Sequence, residues 1–315
     1  MTNAKHEIES GIGRQADPGR FGQLFVCGTP IGNLEDVTLR LLRTLREVAV
    51  IAAEDTRHTR KLLNHYDIDT PLISLHEHNE QSRIADVLQR LEAGDSVALV
   101  SDAGMPAISD PGGQLIAAVA EAGIDIVVVP GPTAFVTALV GSGLTHDRFA
   151  FEGFLPRHAR RRQERLEELS TDPRTLIFYE APHRLARTLR DMLDVLGDRP
   201  ACVARELTKA FEQWQRAPLS ELAAYWTAET PRGEFVIVVA GADELTRSKD
   251  GRTTDSAERE EPSEQQLAEA VRQRMGQGMD KKTAIKAVAD QFGLPRRVVY
   301  RAAVQIDAQT GEADT

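Results

Sequence analysis

The most constraining feature of the sequence is a buried strand followed at once by a long polar loop. Ser96 to Val100 is a short apolar run with β-branched residues, a pattern typical of a strand buried on both faces. The loop that follows, SDAGMPAISDPGG, is rich in Gly, Pro, Asp and Ser. Most such connections are only about 2–6 residues long, and open α/β sheets bind ligands at the carboxyl ends of their strands. The sequence therefore predicts a ligand loop here, the alternative being an ordinary strand-to-helix connection.

Strand and helix patterns alternate along the first half of the chain. Apolar runs at Leu24–Cys27, Val48–Ala52 and Ile124–Val129 are separated by segments of helical periodicity. This alternation predicts a largely parallel sheet covered on both faces. A second α/β unit begins near Asp147. Its predicted strands are Phe149–Gly153, Thr175–Glu180, Ala201–Thr208, Phe211–Gln215 and Glu234–Ala240.

Composition and helix patterns divide the chain further. The first residues are polar and lack the apolar segment of a secretory signal, and residues 243–264 are charged and contain no aromatic side chain. Near the end, two helical patterns joined by a short Gly-containing turn suggest a helix-turn-helix. The predicted organisation is a disordered arm at 1–21, α/β domains at 22–146 and 147–242, a flexible linker at 243–264, a helix-turn-helix-like domain at 265–306 and a tail at 307–315.

Charge, cysteine content and hydropathy narrow the function classes. The net charge of −10 argues against a uniformly basic nucleic-acid binder, although a local basic face remains compatible with it. No apolar run approaches the ~20 residues of a membrane span, so we expect no membrane partner. Cys27 and Cys202 lie in apolar runs and are predicted to be buried thiols of a cytoplasmic protein. No His or Cys set has metal-site spacing, so no metal is expected.

Three loops carry the binding chemistry. GTPIGN, SDAGMPAISDPGG and PGPTA each follow an apolar strand, and such loops of one sheet can line a single crevice. Their exposed backbone N–H and C=O groups would hold a polar, adenine-bearing ligand. Nucleophile-elbow, Walker A and Gly-X-Gly-X-X-Gly motifs are absent from the sequence.

These loops and several other segments carry a resemblance to a known family. TPIGNLEDVTLR, AEDTRHTRKLL, SDAGMPAISDPG, PGPTA, FEGFLP, FYEAPHR, ARELTK and GEFVIVVAG resemble signatures of the tetrapyrrole methylase superfamily, over about residues 22–241. Within it they resemble the branch that methylates ribosomal RNA. The resemblance implies two α/β domains with the donor crevice between them, plus a small C-terminal helical domain. It also implies S-adenosylmethionine as methyl donor, the 2′-hydroxyl of a decoding-centre cytidine in 16S rRNA of the 30S subunit as acceptor, and a homodimer.

The resemblance also assigns donor contacts, with two departures from the family pattern. Cys27-Gly28 stands where members commonly have Val-Pro, and Met105 stands where Thr is common. Both departures fall in loops expected to surround the donor. The residues implied to contact the donor are Thr29, Pro30, Ser101, Asp102, Ala103, Gly104, Met105, Pro130, Gly131, Pro132, Thr133, Ala134, Phe178, Tyr179, Gly233 and Glu234.

Methyl transfer to a ribose hydroxyl benefits from a positioned base or a field that stabilises the alkoxide. Other roles remain open for every candidate. A helix N-cap is the alternative for Asp55, a solvated helix face for His58, and a buried pair with arginine for Glu180 and Glu206. The candidates, with none preferred as the base, are Glu54, Asp55, His58, Glu180 and Glu206, with His183 and Lys209 as further possibilities.

A dense run of cations begins at Arg157, and further cations occupy the C-terminal helical patterns. We expect these side chains to track RNA phosphates, the alternative being solvated helix faces. The predicted RNA-contacting residues are Arg57, Arg157, Arg160, Arg161, Arg162, Arg165, Lys281, Lys282, Arg296 and Arg297. Two other function classes stay open: a methyltransferase of tetrapyrroles or other small molecules, and a non-catalytic RNA-binding assembly factor.

Overall fold

A computed structural model of the chain describes residues 21–242, 264–276, 279–292 and 297–303. The chain divides into two compact units at residues 251 and 252. The first unit contains two sheets with their helices, and the second is helical in its described part. In the described residues no helix has both the length and the apolar character needed to cross a bilayer.

The first sheet has five strands, all parallel, in the order β3-β2-β4-β1-β5. The strands are β1 (Leu24–Cys27), β2 (Val50–Ala53), β3 (Leu72–Ser74), β4 (Val97–Val100) and β5 (Ile126–Val129). Its helices are α1 (Leu39–Glu47), α2 (Thr56–His65), α3 (Glu80–Glu92), α4 (Gly113–Glu121) and α5 (Ala134–Ser142). Every residue of β1, β2 and β4 is buried because apolar clusters cover both faces of the sheet. The predicted parallel α/β sheet is confirmed.

The second sheet is mixed and runs in the order β6-β7-β10-β8-β9. Strands β6 and β7 are parallel, while β10 lies antiparallel between β7 and β8, and β9 is antiparallel to β8. The strands are β6 (Phe149–Phe154), β7 (Thr175–Glu180), β8 (Pro200–Arg205), β9 (Gln213–Pro218) and β10 (Phe235–Val239). The helices are α6 (Ala159–Leu169), α7 (Leu185–Leu196) and α8 (Leu219–Ala228).

Helix α5 joins the two sheets. Ala138 and Leu139 pack on the second sheet against Ile177 and Val236, whereas α6, α7 and α8 supply the core on its other face. The second sheet therefore has one face in a conventional helical core and one face turned toward the helix that follows β5. Within this unit, that arrangement brings the carboxyl ends of β1, β4 and β5 beside the second sheet.

Some predicted elements differ from the structure. The segment of helical periodicity after Cys27 is interrupted: a 3-10 turn at Leu34–Asp36 precedes α1, whose N-cap Thr38 accepts a hydrogen bond from the Leu41 N–H at 3.1 Å. The strand predicted through Thr208 stops at Arg205, because Glu206 and Thr208 have left-handed φ values of 50° and 65°. These polar turn residues end the strand despite their place in a favourable pattern.

The second unit contains α9 (Glu264–Gly276), α10 (Lys281–Phe292) and a helical segment at 297–303. Leu267, Val271, Ala284, Val288 and Val299 form its apolar core. Arg296, one of the predicted RNA contacts, lies outside the described residues. The predicted domain boundaries remain predictions, and the arm, linker and tail also lie mostly or wholly outside the described residues.

Candidate functional site

The loops after β1 and β4 are joined by backbone hydrogen bonds. The Thr29 N–H donates to the Gly104 carbonyl at 2.9 Å, and the Gly104 N–H donates back to the Thr29 carbonyl at 3.1 Å. The Thr29 hydroxyl donates to the carbonyl of Ser101 at 3.3 Å. Thr29 and Ser101 are themselves buried, so they brace the loops from behind.

The loops after β1 and β5 touch through two glycines. A Cβ atom added at Gly28 would lie 2.7 Å from the Gly131 nitrogen, and one added at Gly131 would lie 2.6 Å from the Gly28 carbonyl oxygen. Neither distance is tolerable for a side chain, so both positions require glycine in this arrangement. Three loop backbones are thus held together at one edge of the first sheet.

The loop from Ser101 to Gly112 has an unusual backbone. Gly104, Ala107, Ser109 and Gly112 have φ values of 78°, 66°, 65° and 119°. Left-handed φ at Ala107 and Ser109 costs free energy, on the order of 1–3 kcal/mol per residue, and such strain clusters at ligand sites. The chain keeps this conformation because both ends of the loop are anchored.

The far end of this loop is anchored by a buried carboxylate. Glu80, the first residue of α3, is only 5% exposed, and its Oε1 accepts hydrogen bonds from three backbone N–H groups that begin α4. The donors are Gly112 at 3.1 Å, Gln114 at 2.9 Å and Leu115 at 3.2 Å. Because these N–H groups have no partner within their own helix, Glu80 satisfies them and complements the helix dipole.

A cleft of about 330 Å³ lies between these loops and the second sheet. One wall comes from the loops and includes Ile31, Met105 and Ile108, while the other comes from the second sheet and includes Phe154 and Leu207. The lining is mainly apolar with a few polar groups, as in most small-molecule sites. The cleft is therefore suited to a partly aromatic ligand that carries charge at one end.

Carboxylates gather beside the cleft. Asp110 lines it, and burial, followed by the negative charges of Glu54 and Asp102, raises the pKa of Asp110 to about 6. Burial also raises the pKa of Glu54, and the charges of Asp102 and Asp55 add to that effect. The Asp102 N–H donates to Glu54 Oε2 at 3.4 Å, and the Asp55 N–H donates to Asp102 Oδ1 at 3.0 Å. Such a group of acids favours a cationic ligand.

Comparison with known proteins identifies the family of the chain. A sequence profile of the family described as Tetrapyrrole (Corrin/Porphyrin) Methylases matches residues 23–223. Proteins named "Ribosomal RNA small subunit methyltransferase I" from Synechocystis sp. and Halalkalibacterium halodurans are each 47% identical to the chain. The first alignment covers 91% of this chain and 99% of that protein, and the second covers 89% and 93%. The chain belongs to the ribosomal RNA small subunit methyltransferase I family of tetrapyrrole methylases.

Solved structures share the fold of this family. The native form of uroporphyrin III C-methyltransferase from Thermus thermophilus matches with a TM-score of 0.52 at 20% identity, covering 71% of this chain and all (100%) of that one. Cobalt precorrin-4 methyltransferase matches with a TM-score of 0.53 at 18% identity, covering 70% and 95%. A Thermus thermophilus uroporphyrin-III C-methyltransferase structure complexed with S-adenosylhomocysteine has a TM-score of 0.50 at 20% identity, covering 71% and 99%.

The donor residues implied by the family resemblance fall into two groups. Thr29, Ser101, Asp102 and Gly131 act behind or between the loops, and the prolines Pro30, Pro130 and Pro132 shape the same loops without lining the cleft. The residues that do line it are Ala103, Gly104, Met105, Thr133, Ala134, Tyr179, Gly233 and Glu234. Phe178 is a correction: its side chain is fully buried in the core formed with α6 and α7, on the opposite face from Tyr179.

Among the candidate bases, Glu180 is held by protein partners, which fits the alternative of a buried pair with arginine. The side chain of Glu180 is fully buried, with Oε1 accepting from the Ala181 N–H at 2.8 Å and Oε2 accepting from the Thr188 hydroxyl at 2.5 Å. Arg184 Nε lies 3.2 Å from Oε1. Glu180 also lines the cleft. Because both of its carboxylate oxygens have protein partners, we expect it to brace the loop after β7.

Asp55 and Glu206 are also engaged in structural contacts. Asp55 caps α2 by accepting from the Arg57 N–H at 2.8 Å, and its hydrogen bonds with the Arg57 guanidinium hold the pKa of Asp55 well below its usual range. Glu206 accepts from Lys209 Nζ and from the Glu234 N–H, both at 3.0 Å. Burial opposes ionisation of Glu206, but these hydrogen bonds lower its pKa overall. Among the five candidates, Glu54 and His58 keep the fewest protein partners.

The predicted RNA-contacting side chains also divide. Arg162 is a correction: it is 2% exposed and lies 2.5 Å from Asp191, so it holds α6 to α7 and does not reach the surface. Arg165 pairs with Glu152 and Glu168, and Arg57 pairs with Asp55. Arg157, Arg160 and Arg161 are exposed, and Arg160 pairs with Glu164 at 2.9 Å.

The cations of the second unit share a groove. Lys281, Lys282 and Arg297 line a groove of about 570 Å³ together with Ile285 and Tyr300. Tyr300 is 58% exposed, and the sequence reasoning did not single it out. Tyr300 follows the predicted RNA contact Arg296 by four residues in the same helical pattern. That spacing was the sequence signal from which Tyr300 could have been predicted.

Several cleft-lining residues of the first unit were not predicted from the sequence. Three of them lie inside the predicted ligand loops, whose motifs were the signal for a binding residue: Ile31, Ile108 and Asp110. Phe154 and Leu207 belong to short motifs of the second sheet, where nothing in the pattern distinguishes a cleft residue from a core residue.

Cys27 and Cys202 are buried and free, and burial raises their pKa values to about 12 and about 11, as expected of unreactive thiols.

Proposed function

We propose that the chain is an S-adenosylmethionine-dependent methyltransferase of small-subunit ribosomal RNA, acting on the 2′-hydroxyl of a decoding-centre cytidine in 16S rRNA. The observation that carries the proposal is the cleft itself, in which three braced loops of a parallel sheet face an apolar wall beside a group of acids. The names of relatives that align over most of this chain support ribosomal RNA as the acceptor.

The residues around the cleft fit this donor. Apolar side chains such as Ile31, Met105 and Leu207 suit an adenosine, and Asp110 with its acidic neighbours suits a positive charge. The fold relative from Thermus thermophilus that is complexed with S-adenosylhomocysteine supports the same class of ligand. When bound, S-adenosylmethionine supplies a methyl group already activated by positive sulfur. Ala103, Gly104, Met105, Thr133, Ala134, Tyr179, Gly233 and Glu234 are the residues that would hold it.

Glu54 is the group that we assign to accept the proton of the ribose hydroxyl. It follows β2 directly, and its partly buried carboxyl has a raised pKa. From the described residues it accepts a long hydrogen bond, from the Asp102 N–H at 3.4 Å. A carboxylate with a raised pKa is a better base near neutral pH than an ordinary one. Asp55, Glu180 and Glu206 are occupied by stronger partners. His58, exposed on α2, is the remaining alternative.

Basic surfaces on both units suit an RNA substrate. Arg157, Arg160 and Arg161 are exposed on the first unit, and the groove that contains Lys282 and Arg297 lies on the second. Phosphate contacts from such side chains give affinity that falls with salt. These surfaces favour RNA over a tetrapyrrole acceptor. A ribosomal substrate implies a cytoplasmic protein, and exposed apolar side chains such as Leu39 and Val140 suit a homodimer contact.

The test uses the full chain, labelled donor and 30S subunits that lack the modification. We expect label in 16S rRNA and a single nucleotide that resists alkaline hydrolysis, because a methylated 2′-hydroxyl cannot attack its own phosphate. Glu54→Gln should lower kcat by about 10²- to 10⁴-fold while leaving the affinity for S-adenosylhomocysteine, which lacks the positive sulfur, intact. The exposed residue Glu77 offers a control substitution, Glu77→Gln. Label in a porphyrinoid acceptor and none in rRNA would overturn the proposal in favour of a small-molecule methyltransferase.

A further inference from the structure

Phe154 is an aromatic side chain in an unusual position. It ends β6, it is 54% exposed, and it lines the cleft. Its ring meets the ring of Tyr179 at an angle of 61° with centroids 5.6 Å apart, so one edge is supported by a neighbour. A large aromatic ring held in place yet half open to solvent at the mouth of a cleft presents area for a flat partner.

A β-bulge turns Phe154 toward the cleft. Strand β6 pairs with β7 as Phe151 with Ile177, and the register then shifts so that Gly153 pairs with Phe178 and Phe154 with Tyr179. Ile177 and Tyr179 share one face of the sheet, whereas Phe178 belongs to the core on the other face.

Without the register shift, one-to-one pairing would place Phe154 opposite Glu180, on the same face as Ala150 and inside the core covered by α6 and α7. Gly153 allows the shift because it adopts a left-handed φ of 61°. Bulges that redirect one side chain are common beside active sites.

The surroundings of Phe154 match a nucleic acid. A Cβ atom on Gly153 would lie 3.4 Å from the Ser109 hydroxyl, which places Phe154 next to the loop after β4. Across the mouth of the cleft, Ile108 of that loop is 40% exposed. Arg157 and Arg161 follow Phe154 by three and seven residues, and both are exposed. An open aromatic ring followed by free cations is the combination that single-stranded RNA binders use.

We propose that the ring of Phe154 is the platform on which the nucleobase of the target nucleotide stacks after it leaves the RNA stack. This inference rests on the proposed function, since it identifies how the acceptor is held at that site. Enzymes that modify a nucleotide take it out of its helix and hold the base against aromatic or apolar groups. A base stacked on Phe154 brings its ribose to the cleft, which Asp110 also lines. The negative charge of Glu54 acts on Asp110, so the assigned base belongs to the same surroundings.

The experiment compares Phe154→Ala, Phe154→Leu and Phe154→Tyr with the control Phe149→Ala in the full chain. Phe149 begins the same strand and is 42% exposed but does not line the cleft. Three quantities are measured: kcat/KM for unmodified 30S subunits, affinity for those subunits, and affinity for S-adenosylhomocysteine by calorimetry. Thermal melting checks that each variant is folded.

Loss of one base–aromatic stack should lower kcat/KM for the 30S subunit by roughly five- to hundredfold in Phe154→Ala. Phe154→Leu should show most of that loss, whereas Phe154→Tyr and Phe149→Ala should remain near the wild-type value. Affinity for S-adenosylhomocysteine should be unchanged in all of them.

Three results would overturn the platform. A wild-type value in Phe154→Ala, or full retention in Phe154→Leu, would show that no stacking is involved. Weaker binding of S-adenosylhomocysteine by Phe154→Ala would assign the ring to the donor instead. In each case an active wild-type protein would leave the proposed function standing. A wild-type protein that transfers no methyl group to 30S subunits would overturn both proposals together.

Discussion

The two sheets shape the cleft in different ways, one mainly through backbone conformation and the other through side chains. The wall from the first sheet takes its shape from backbone contacts: Gly28 and Gly131 are in close contact, and one loop has four left-handed residues. The second sheet contributes side chains such as Phe154, Tyr179 and Leu207. A backbone wall cannot accept extra atoms, whereas a side-chain wall can be lined differently by substitution. We therefore expect the first sheet to fix the donor and the second to adapt the site to its acceptor.

This difference also decides what the sequence could predict. The loops of the first sheet could be predicted from the sequence, because Gly and Pro directly after an apolar strand indicate a loop of this kind. The side chains of the second sheet that line the cleft could not be predicted in this way. A register shift in β6 decides whether Phe154 faces the core or the cleft, and nothing in the sequence pattern predicts that shift. Phe178 was misassigned for the same reason, since a motif gives no direction for each side chain. The anchoring role of Glu80 was not predicted, because an acidic residue at the start of a helix is common and indicates no contact with another loop.

The largest effect that we expect concerns the anchor of the backbone wall. Glu80→Ala removes the acceptor of three N–H groups at the start of α4. Leaving those buried donors without a partner should lower the free energy of unfolding by about 3 kcal/mol. Because Gly112 ends the loop after β4, donor affinity should fall as well. Chemical denaturation and calorimetry with S-adenosylhomocysteine measure the two effects.

Glu80→Gln and Glu77→Ala serve as the matched comparisons. Glu80→Gln keeps one acceptor oxygen and should cost only about 1 kcal/mol. Glu77 is exposed, so its replacement should be nearly neutral. If Glu80→Ala left donor affinity unchanged while lowering stability, the anchor would support the fold without shaping the donor loop, and the contrast between the sheets would weaken.

A smaller effect is expected from a single methyl group in the backbone wall. Gly28→Ala would place its Cβ 2.7 Å from the Gly131 nitrogen and 2.6 Å from Met105 Sδ. We expect a loss of about 2 kcal/mol in the free energy of unfolding and weaker donor binding. Gly113→Ala is the control, because a Cβ there meets nothing within 4 Å.

The two departures from the family pattern meet at this point. The family pattern that the sequence resembles leads us to expect Pro at position 28 and Thr at position 105, where this chain has Gly28 and Met105. A Cβ atom at position 28 would lie 2.6 Å from Met105 Sδ, so the two positions adjoin. The long Met105 side chain occupies space that a larger residue at position 28 would need. Combining Gly28→Ala with Met105→Thr should therefore recover part of the lost stability, while the backbone clash with Gly131 persists. A double-mutant cycle with no coupling would show that the two departures are independent.

The smallest expected effect concerns the charge between the two walls. The pKa of Asp110 is raised from 3.8 to about 6 by burial first and by Glu54 and Asp102 next. A raised folded-state pKa means that the protonated form favours the fold. The stabilising contribution is therefore complete below about pH 4 and is lost as the pH rises through about 6. Asp110→Asn should raise the free energy of unfolding at pH 8 by about 1 kcal/mol, after allowance for partial exposure, and by little at pH 4.

The unfavourable charge of Asp110 in the free protein should become favourable when a cation binds beside it. S-adenosylmethionine carries a positive sulfur that S-adenosylhomocysteine lacks, so the ratio of their affinities isolates this charge. As Asp110 ionises between pH 5 and pH 7, we expect the ratio to shift toward S-adenosylmethionine by about fivefold, the effect of about 1 kcal/mol. In Asp110→Asn the shift should shrink to whatever Glu54 contributes, because Glu54 titrates in the same direction. A ratio that stays constant with pH in the wild-type protein would mean that Asp110 faces the acceptor and not the sulfur. The boundary between a donor-fixing wall and an acceptor-facing wall would then run through the loop after β4, and no longer between the two sheets.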